Sequence, residues 1–297
     1  MNFFQQVFII KLSCGQRVFG YKVYEPFIRK AAGFGVASTK HDNERYEHKY
    51  EYCDLLITGS GPSGLASAYA AAKNGARVIL AEDKSRFGGS LLTSEVSIGN
   101  QHGKDWADKI ITELQGMPNV IVKNRAQVFG YYDHNMLVMS ERISDHLPKS
   151  KKYSPKQRLW YIRAKEVIIS SGSIERPIVF GNNDTPGVVL ASAAKEYLKV
   201  YGVLVGKKPL IFTNNDSAYE TAIEFKKNGI WPIVLDTRSN PDSEIINEAK
   251  NMGIKIKFSY VVVAAKGYKK VKSAEIAKIS QDKKDLGKLE TIDCDCI

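Results

Sequence analysis

Gly59, Gly61 and Gly64 stand in the order Gly-x-Gly-x-x-Gly, and an acid, Glu82, follows eighteen residues after the third glycine. Glycines at this spacing let a chain turn sharply, bring its backbone up to a pyrophosphate with no Cβ in the way, and pack a helix closely on a strand. The acid is placed to accept hydrogen bonds from a ribose diol. Together these residues describe a site for the ADP half of a dinucleotide. Ser60, Pro62 and Ser63 complete the turn, and Asp83 stands beside the acid. Glu82 suits a diol in NAD or in FAD and argues only against a 2′-phosphate.

The elements needed to position these groups are legible around them. Asp54–Thr58 carries Leu55, Leu56 and Ile57, the apolar run of a parallel strand buried on both faces. The alanine-rich stretch from Ser63 to Asn74 reads as a helix that stops at Gly75, with its positive amino end aimed at the phosphates. Ala76–Ala81 then forms the strand that delivers Glu82. Gly88 and Gly89, followed by Ser90, provide a second place where the backbone could approach the ligand closely.

Further along, residues 103–115 read as an amphipathic helix, and Asn119–Lys123 and Ala126–Tyr132 as strands, the latter placing Val128 beside the adenine. Residues 136–143 and 158–172 alternate as antiparallel strands joined by a lysine-rich loop. Val167–Ser170 forms a buried strand leading to Gly172, a further candidate contact. His134, in the turn Tyr-Tyr-Asp-His-Asn, reads as a structural hydrogen-bonder, and Glu175 and Arg176 as closing the crossover between two domains. No catalytic side chain and no metal ligand set is expected in this chain.

A second strand, turn, helix and strand unit spans residues 207–238, after a helix at 192–202. Its turn carries Asn214, Asn215 and Asp216 where the first has glycines, which leaves Cβ atoms where a pyrophosphate would approach. It has the form of a nucleotide domain with an eroded phosphate loop. A helix at 244–253 and a three-stranded meander at 254–267, 271–280 and 288–293 follow. The expected fold is α/β, with two Rossmann-like dinucleotide-binding domains, each a parallel sheet with an antiparallel meander, the second inserted in the first. The first domain spans 51–190, with the chain returning to it at about 293–297; the second spans 191–292. Residues 1–50 form a lead segment and polar linker.

With 297 residues, 43% of them hydrophobic, the chain can bury one large core or two moderate ones. The net charge of +11 invites a nucleic-acid reading. The lysines are scattered, however, clustering only at Lys149–Lys156 and Lys266–Lys272, with no aromatic stacking pattern, so a solvated surface is expected and no nucleic acid. Cys14, Cys53, Cys294 and Cys296 contain no Cys-x-x-Cys, which speaks against a redox dithiol or a zinc knuckle. Reduced thiols and a cytoplasmic setting follow as the default. No run reaches membrane-spanning length.

The order of parts resembles the two-dinucleotide-domain fold of the pyridine nucleotide-disulfide oxidoreductases. Within it, YEPFIRKAAGFG, the GSGPSG turn, FGYYDHN, RLWYIRAKEVIISSGSIERP, NNDTPGVVLASA and FTNNDSAY resemble the alpha subunit of heterotetrameric sarcosine oxidase, over about residues 24–297. The resemblance implies NAD held non-covalently in the first site, with FAD as the alternative, at Gly59, Gly61, Gly64, Glu82 and the Gly88–Gly89 pair. It also implies beta, gamma and delta partner subunits, a small amine substrate oxidised at flavins carried by or shared with the beta subunit, and tetrahydrofolate accepting the one-carbon unit. Residues 1–20 do not resemble the small ferredoxin-like domain of that family, and its folate-binding domain lies beyond the matching region. An internal fragment is therefore expected. Two alternatives remain open: an FAD-binding alpha subunit of a related proline, opine or amine dehydrogenase, or a nucleotide-stabilised scaffold subunit. A free-standing disulfide reductase is disfavoured by the missing Cys-x-x-Cys.

Overall fold

The computed structural model describes residues 24–33, 38–147, 154–280, 282 and 285–297. The opening run with Cys14, Gly35 and the lysines at 149–152 lie outside the described residues. The described residues up to Arg45 and residues Tyr46–Ile297 belong to separate units. In the first, helix α1 (Glu25–Ala31) begins with Pro26 in its opening turn, where the missing N–H has no helical partner to lose.

The second unit starts with β1 (Tyr46–Thr58), α2 (Pro62–Lys73) and β2 (Val78–Ala81). A small hairpin, β3 (Ser97–Ile98) with β4 (Gln101–His102), leads into α3 (Gly103–Gln115), β5 (Val120–Lys123), β6 (Ala126–Tyr132), β7 (Met136–Arg142) and β8 (Gln157–Ile169). These build a six-stranded sheet in the order β5-β2-β1-β8-β7-β6. β5, β2, β1 and β8 run parallel; β8, β7 and β6 are antiparallel. Alternation along β1 buries Ile57 against α2 and α3, with Leu65, Ala68, Leu80 and Leu114. Its neighbour Leu56 packs on the opposite face with Ile79, Met139, Trp160 and Ile162. Burying each such aliphatic side chain stabilises by about 1.5–3 kcal/mol, which is why the central strand tolerates so few polar residues.

The chain continues through α4 (Ala191–Tyr201), β9 (Leu210–Thr213), α5 (Ser217–Lys227), β10 (Ile233–Asp236), α6 (Glu244–Asn251) and β11 (Lys255–Phe258). Its three strands form a parallel sheet in the order β11-β10-β9, and β12 (Tyr260–Gly267), β13 (Val271–Ile279) and β14 (Leu286–Asp293) form an antiparallel meander. One core lies between this sheet and its helices, another between sheet and meander.

Four expectations need correction. The polar linker ends at Arg45, because Tyr46–Tyr52 extend β1 and pair in parallel with Gln157–Arg163; Tyr50 stacks on Tyr161 with ring centroids 4.9 Å apart. Second, the antiparallel strand at 158–172 and the buried strand at 167–170 are one element, β8, antiparallel to β7 on one side and parallel to β1 on the other. Ile169 is exposed, since it projects past the packed core at the strand's carboxyl end. Third, residues 254–267 are two strands. Ser259 takes a left-handed conformation, φ 58°, and turns the chain out of the parallel sheet into the meander. Fourth, the last residues lie against the second sheet instead of the first: Cys296 bridges Pro209 in parallel, and the Asp295 carboxylate accepts from the Lys207 and Lys208 N–H groups.

Cys53, Cys294 and Cys296 are buried and free. Burial, with nearby acidic charge, pushes their thiols up to about 12, 11 and 12 respectively. Unfolded thiols ionise near about 8.5, so the neutral folded form is favoured fully below that pH and its contribution is lost as pH rises towards 11–12. A Cys14→Ser variant, carrying only these three cysteines, should resist an aqueous thiol reagent at pH 8 when native and react fully in denaturant. Its urea midpoint should fall between about pH 9 and pH 11.

Among the described residues, no helix is long and apolar enough to cross a membrane.

Candidate functional site

Parallel pairing brings three strand ends together. Thr58 at the end of β1 lies opposite Ala81 of β2 and Ile169 of β8. The Gly59 N–H donates to Ala81 O at 2.8 Å, and the Ser170 N–H to Thr58 O at 2.8 Å, so the glycine turn and the segment after β8 leave the sheet side by side. Ligands of open α/β sheets bind in the crevice outside such carboxyl ends.

Two glycines are dictated by this crowding. Gly59 has φ +97°, and a Cβ there would lie 2.3 Å from Ser170 O; a Cβ on Gly64 would lie 2.0 Å from Gly59 O. The segment after β8 thus requires a glycine at 59, and the close approach of α2 to the turn requires one at 64. Gly61 is different: a Cβ built on it meets no atom within 4 Å and would enter the cleft instead. Gly61 caps α2, Pro62 begins it, and the free N–H groups of that first turn sit beside the space a Cβ would fill.

The cleft measures about 1020 Å³. Gly59, Ser60, Gly61, Pro62, Ser63, Glu82, Asp83, Gly89, Ser90, Val128 and Gly172 all line it, whereas Gly64 and Gly88 lie behind its wall. Gly88 donates its N–H to Ser60 O at 3.1 Å, and the backbone at Gly89 comes so near Gly61 that a Cβ on Gly89 would be 2.8 Å from the Gly61 Cα. The second glycine pair is thereby held against the first turn.

Glu82, only 6% exposed, is held in place by donors from the protein. Its Oε2 accepts from the Ser60 N–H at 2.9 Å and the Ser60 hydroxyl at 2.5 Å, and its Oε1 from the Lys84 N–H at 3.0 Å. Asp83 is exposed at the rim. Beneath the site, Asp54 is clamped by Arg77, whose guanidinium and N–H both reach it, and by Lys165; these bonds hold its carboxyl well below the usual range.

Sequence reasoning missed the far wall. α4 and the residue before it bring Leu190, Ser192, Lys195 and Glu196 to the cleft, and the Lys84 ammonium donates to both Glu196 oxygens at 2.8 Å. Glu175, expected at the crossover, lines the cleft and accepts from the Ser192 N–H at 2.8 Å, so it caps α4. No local pattern marks α4 as a neighbour of the glycine turn more than a hundred residues earlier. His134 sits in a left-handed turn, φ 59°, away from the cleft lining, and its carbonyl accepts from Arg163 at 2.9 Å.

The second strand, turn, helix and strand unit has a cavity of about 760 Å³ at the end of β9, lined in part by Asn214, Asn215 and Ser217. Asp236, the last residue of β10, is the acid at the end of this unit's second strand and is fully buried. Its Oδ1 accepts from the Arg238 N–H at 2.9 Å and Nε at 3.0 Å; its Oδ2 accepts from Arg238 Nη2 and the Tyr219 hydroxyl, both at 2.8 Å. Arg238 also pairs with Asp216 in the turn at 2.7 Å. Burial and the bond to Asp236 push the Tyr219 hydroxyl upward. A carboxylate offers about four acceptor positions, so this one is saturated from within the protein.

Comparison with known proteins agrees with this architecture. A family model described as FAD dependent oxidoreductase matches residues 54–129, from the last five residues of β1 to the middle of β6. The chain is 41% identical over 255 residues to "Sarcosine oxidase subunit alpha" of Rhizobium meliloti (strain 1021), a match covering 86% of this chain and 25% of that protein. It is 34% identical over 270 residues to the protein of the same name from Corynebacterium sp. (strain P-1), covering 89% and 28%. The chain thus spans about a quarter of the length of these relatives. Among solved structures, T. acidophilum thioredoxin reductase matches with a TM-score of 0.59 at 14% identity, over 82% of this chain and 75% of that one, which shows a shared fold.

Proposed function

From a chain homologous over most of its length to sarcosine oxidase alpha subunits, we propose the dinucleotide-holding part of an amine-oxidase alpha subunit. The observation that carries this reading is the cleft at Gly61. A turn whose neighbours require Gly59 and Gly64 for packing keeps a third glycine whose Cβ position opens onto the cleft, where a bound pyrophosphate would need the space. Pyrophosphate would sit against Gly61 and the first turn of α2, and the ribose beside Glu82, with Val128 and Gly172 on the remaining walls.

The match to an FAD-dependent oxidoreductase model over the glycine turn favours FAD as occupant. A second reading is NAD, the nucleotide implied by the resemblance of the sequence words to sarcosine oxidase alpha subunits. Bound FAD would supply two-electron redox chemistry, whereas bound NAD would be either a hydride acceptor or a fixed anchor. In both readings this chain's residues bind and orient the ADP half. Oxidative demethylation of sarcosine, transfer of the one-carbon unit to tetrahydrofolate, and assembly with beta, gamma and delta subunits are proposed for the whole protein, with no substrate-oxidising residue assigned to this chain.

The purified protein should release one nucleotide on denaturation. A yellow, fluorescent extract identifies FAD; a colourless extract that supports an alcohol dehydrogenase assay identifies NAD. An extract with neither, from protein purified under conditions that preserve the fold, would sink the proposal.

A further inference from the structure

Resting on the proposed nucleotide site, we infer that Ser60 is a positioning residue whose hydroxyl sets Glu82 to read the ribose diol, without touching the nucleotide itself. Three observations converge on it. Ser60 is fully buried. Its hydroxyl donates to Glu82 Oε2 at 2.5 Å and accepts from the Gly88 N–H at 3.2 Å, while its own N–H donates to the same Oε2 at 2.9 Å. One side chain therefore ties together the glycine turn, the acid twenty-two residues on, and the second glycine pair.

The geometry decides which part of Glu82 remains for a ligand. Oε2 carries two protein donors and is occupied; Oε1 carries only the Lys84 N–H. Of about four acceptor positions on a carboxylate, one stays free on Oε1, at a residue that lines the cleft. The hydroxyl's single proton is committed to Glu82, so Ser60 holds the carboxylate without competing for a ribose hydroxyl. A hydrogen bond passing from the Gly88 N–H through the hydroxyl to an ionised acceptor is charge-assisted, and the chain of donors polarises it further.

The second unit supplies an internal comparison. There too the acid at the end of the second strand accepts the N–H two residues on, Arg238 to Asp236 as Lys84 to Glu82. There too it is tied to the turn after the first strand, but through a guanidinium that bridges Asp236 and Asp216. The guanidinium takes both oxygens of the acid and leaves no position for a diol. A short neutral tie in the first unit and a saturating cationic one in the second separate a reading acid from a closed one.

The test compares ADP with 2′,3′-dideoxy-ADP in calorimetric titrations of the nucleotide-stripped full chain. The parent should prefer ADP at least roughly tenfold, corresponding to about 1.4 kcal/mol. Ser60→Ala should weaken ADP to near the dideoxy level while moving dideoxy-ADP less than about threefold, and Glu82→Gln should abolish the preference so that adding Ser60→Ala changes it no further. Equal weakening of both ligands by Ser60→Ala, or additive effects in the double variant, would overturn the assignment in favour of a merely structural serine. Failure of the parent to bind either ligand would instead count against the nucleotide site itself. Should Ser60→Ala not fold, Glu82→Gln with both ligands still decides whether the acid reads the diol, and Ser60→Cys tests the donor in place.

Discussion

A Gly61→Val variant is expected to lose nucleotide affinity by at least roughly a hundredfold, about 2.7 kcal/mol, while keeping its fold. The backbone there, φ −67° and ψ −178°, is open to any residue and suits one that precedes proline. A Cβ meets no protein atom within 4 Å, so the branched side chain enters only the space the pyrophosphate needs. Valine caps a helix less well than glycine, a cost of under about 1 kcal/mol, which sets the change expected in a urea melt. Titration with ADP and denaturation of the same preparation separate the two effects. Unchanged affinity would remove the phosphate from this turn.

Gly64→Ala should behave in the opposite way. Helix propensity alone favours alanine over glycine inside a helix by about 1 kcal/mol. Here the added methyl would lie 2.0 Å from Gly59 O, in the first turn of α2 where helix and strand are in contact. The atom in the way is backbone, so relief demands moving α2 or the turn. A loss of about 3 kcal/mol or more in urea unfolding is expected. A variant as stable as the parent would mean that α2 stands farther from β1 than described. Gly61→Val and Gly64→Ala, three residues apart, thus separate a glycine kept for a ligand from one kept for packing.

Much of the cleft lining was readable in the sequence, for a specific reason. Gly59, Gly61, Gly64 and Glu82 belong to one continuous strand, turn, helix and strand, whose spacing is set by covalent geometry and local hydrogen bonds. The Gly88–Gly89 pair was readable because glycine marks close backbone approaches, and Gly172 because its left-handed backbone, φ +72°, favours glycine. Lys84, Lys195 and Glu196 were not. Each is an ordinary charged residue: Lys195 and Glu196 reach the cleft only through how α4 lies across the sheet, and Lys84, two residues after Glu82, is paired with Glu196 there.

The same division runs through the fold. Apolar alternation identified α3, β6 and β7 within a residue or so, because each buries one face and the period follows from its own backbone. Tyr46–Tyr52 escaped notice because their alternation is of tyrosine and histidine with charged residues; only pairing with β8 makes them strand. Ser259 carries no turn signature of its own, and its left-handed conformation results from two sheets meeting at one residue.

By itself, then, the sequence determined a glycine turn, an acid eighteen residues after its last glycine, and two α/β units, of which the second carries asparagines and an aspartate where the first has glycines. Tertiary structure alone decided what each acid can do. Ser60, Glu82 and Gly88 meet across separations of twenty-two and twenty-eight residues, and Asp236 meets Tyr219 across seventeen. Hydrogen-bond saturation of a buried carboxylate depends on which donors the fold delivers, and chain spacing carries no record of that.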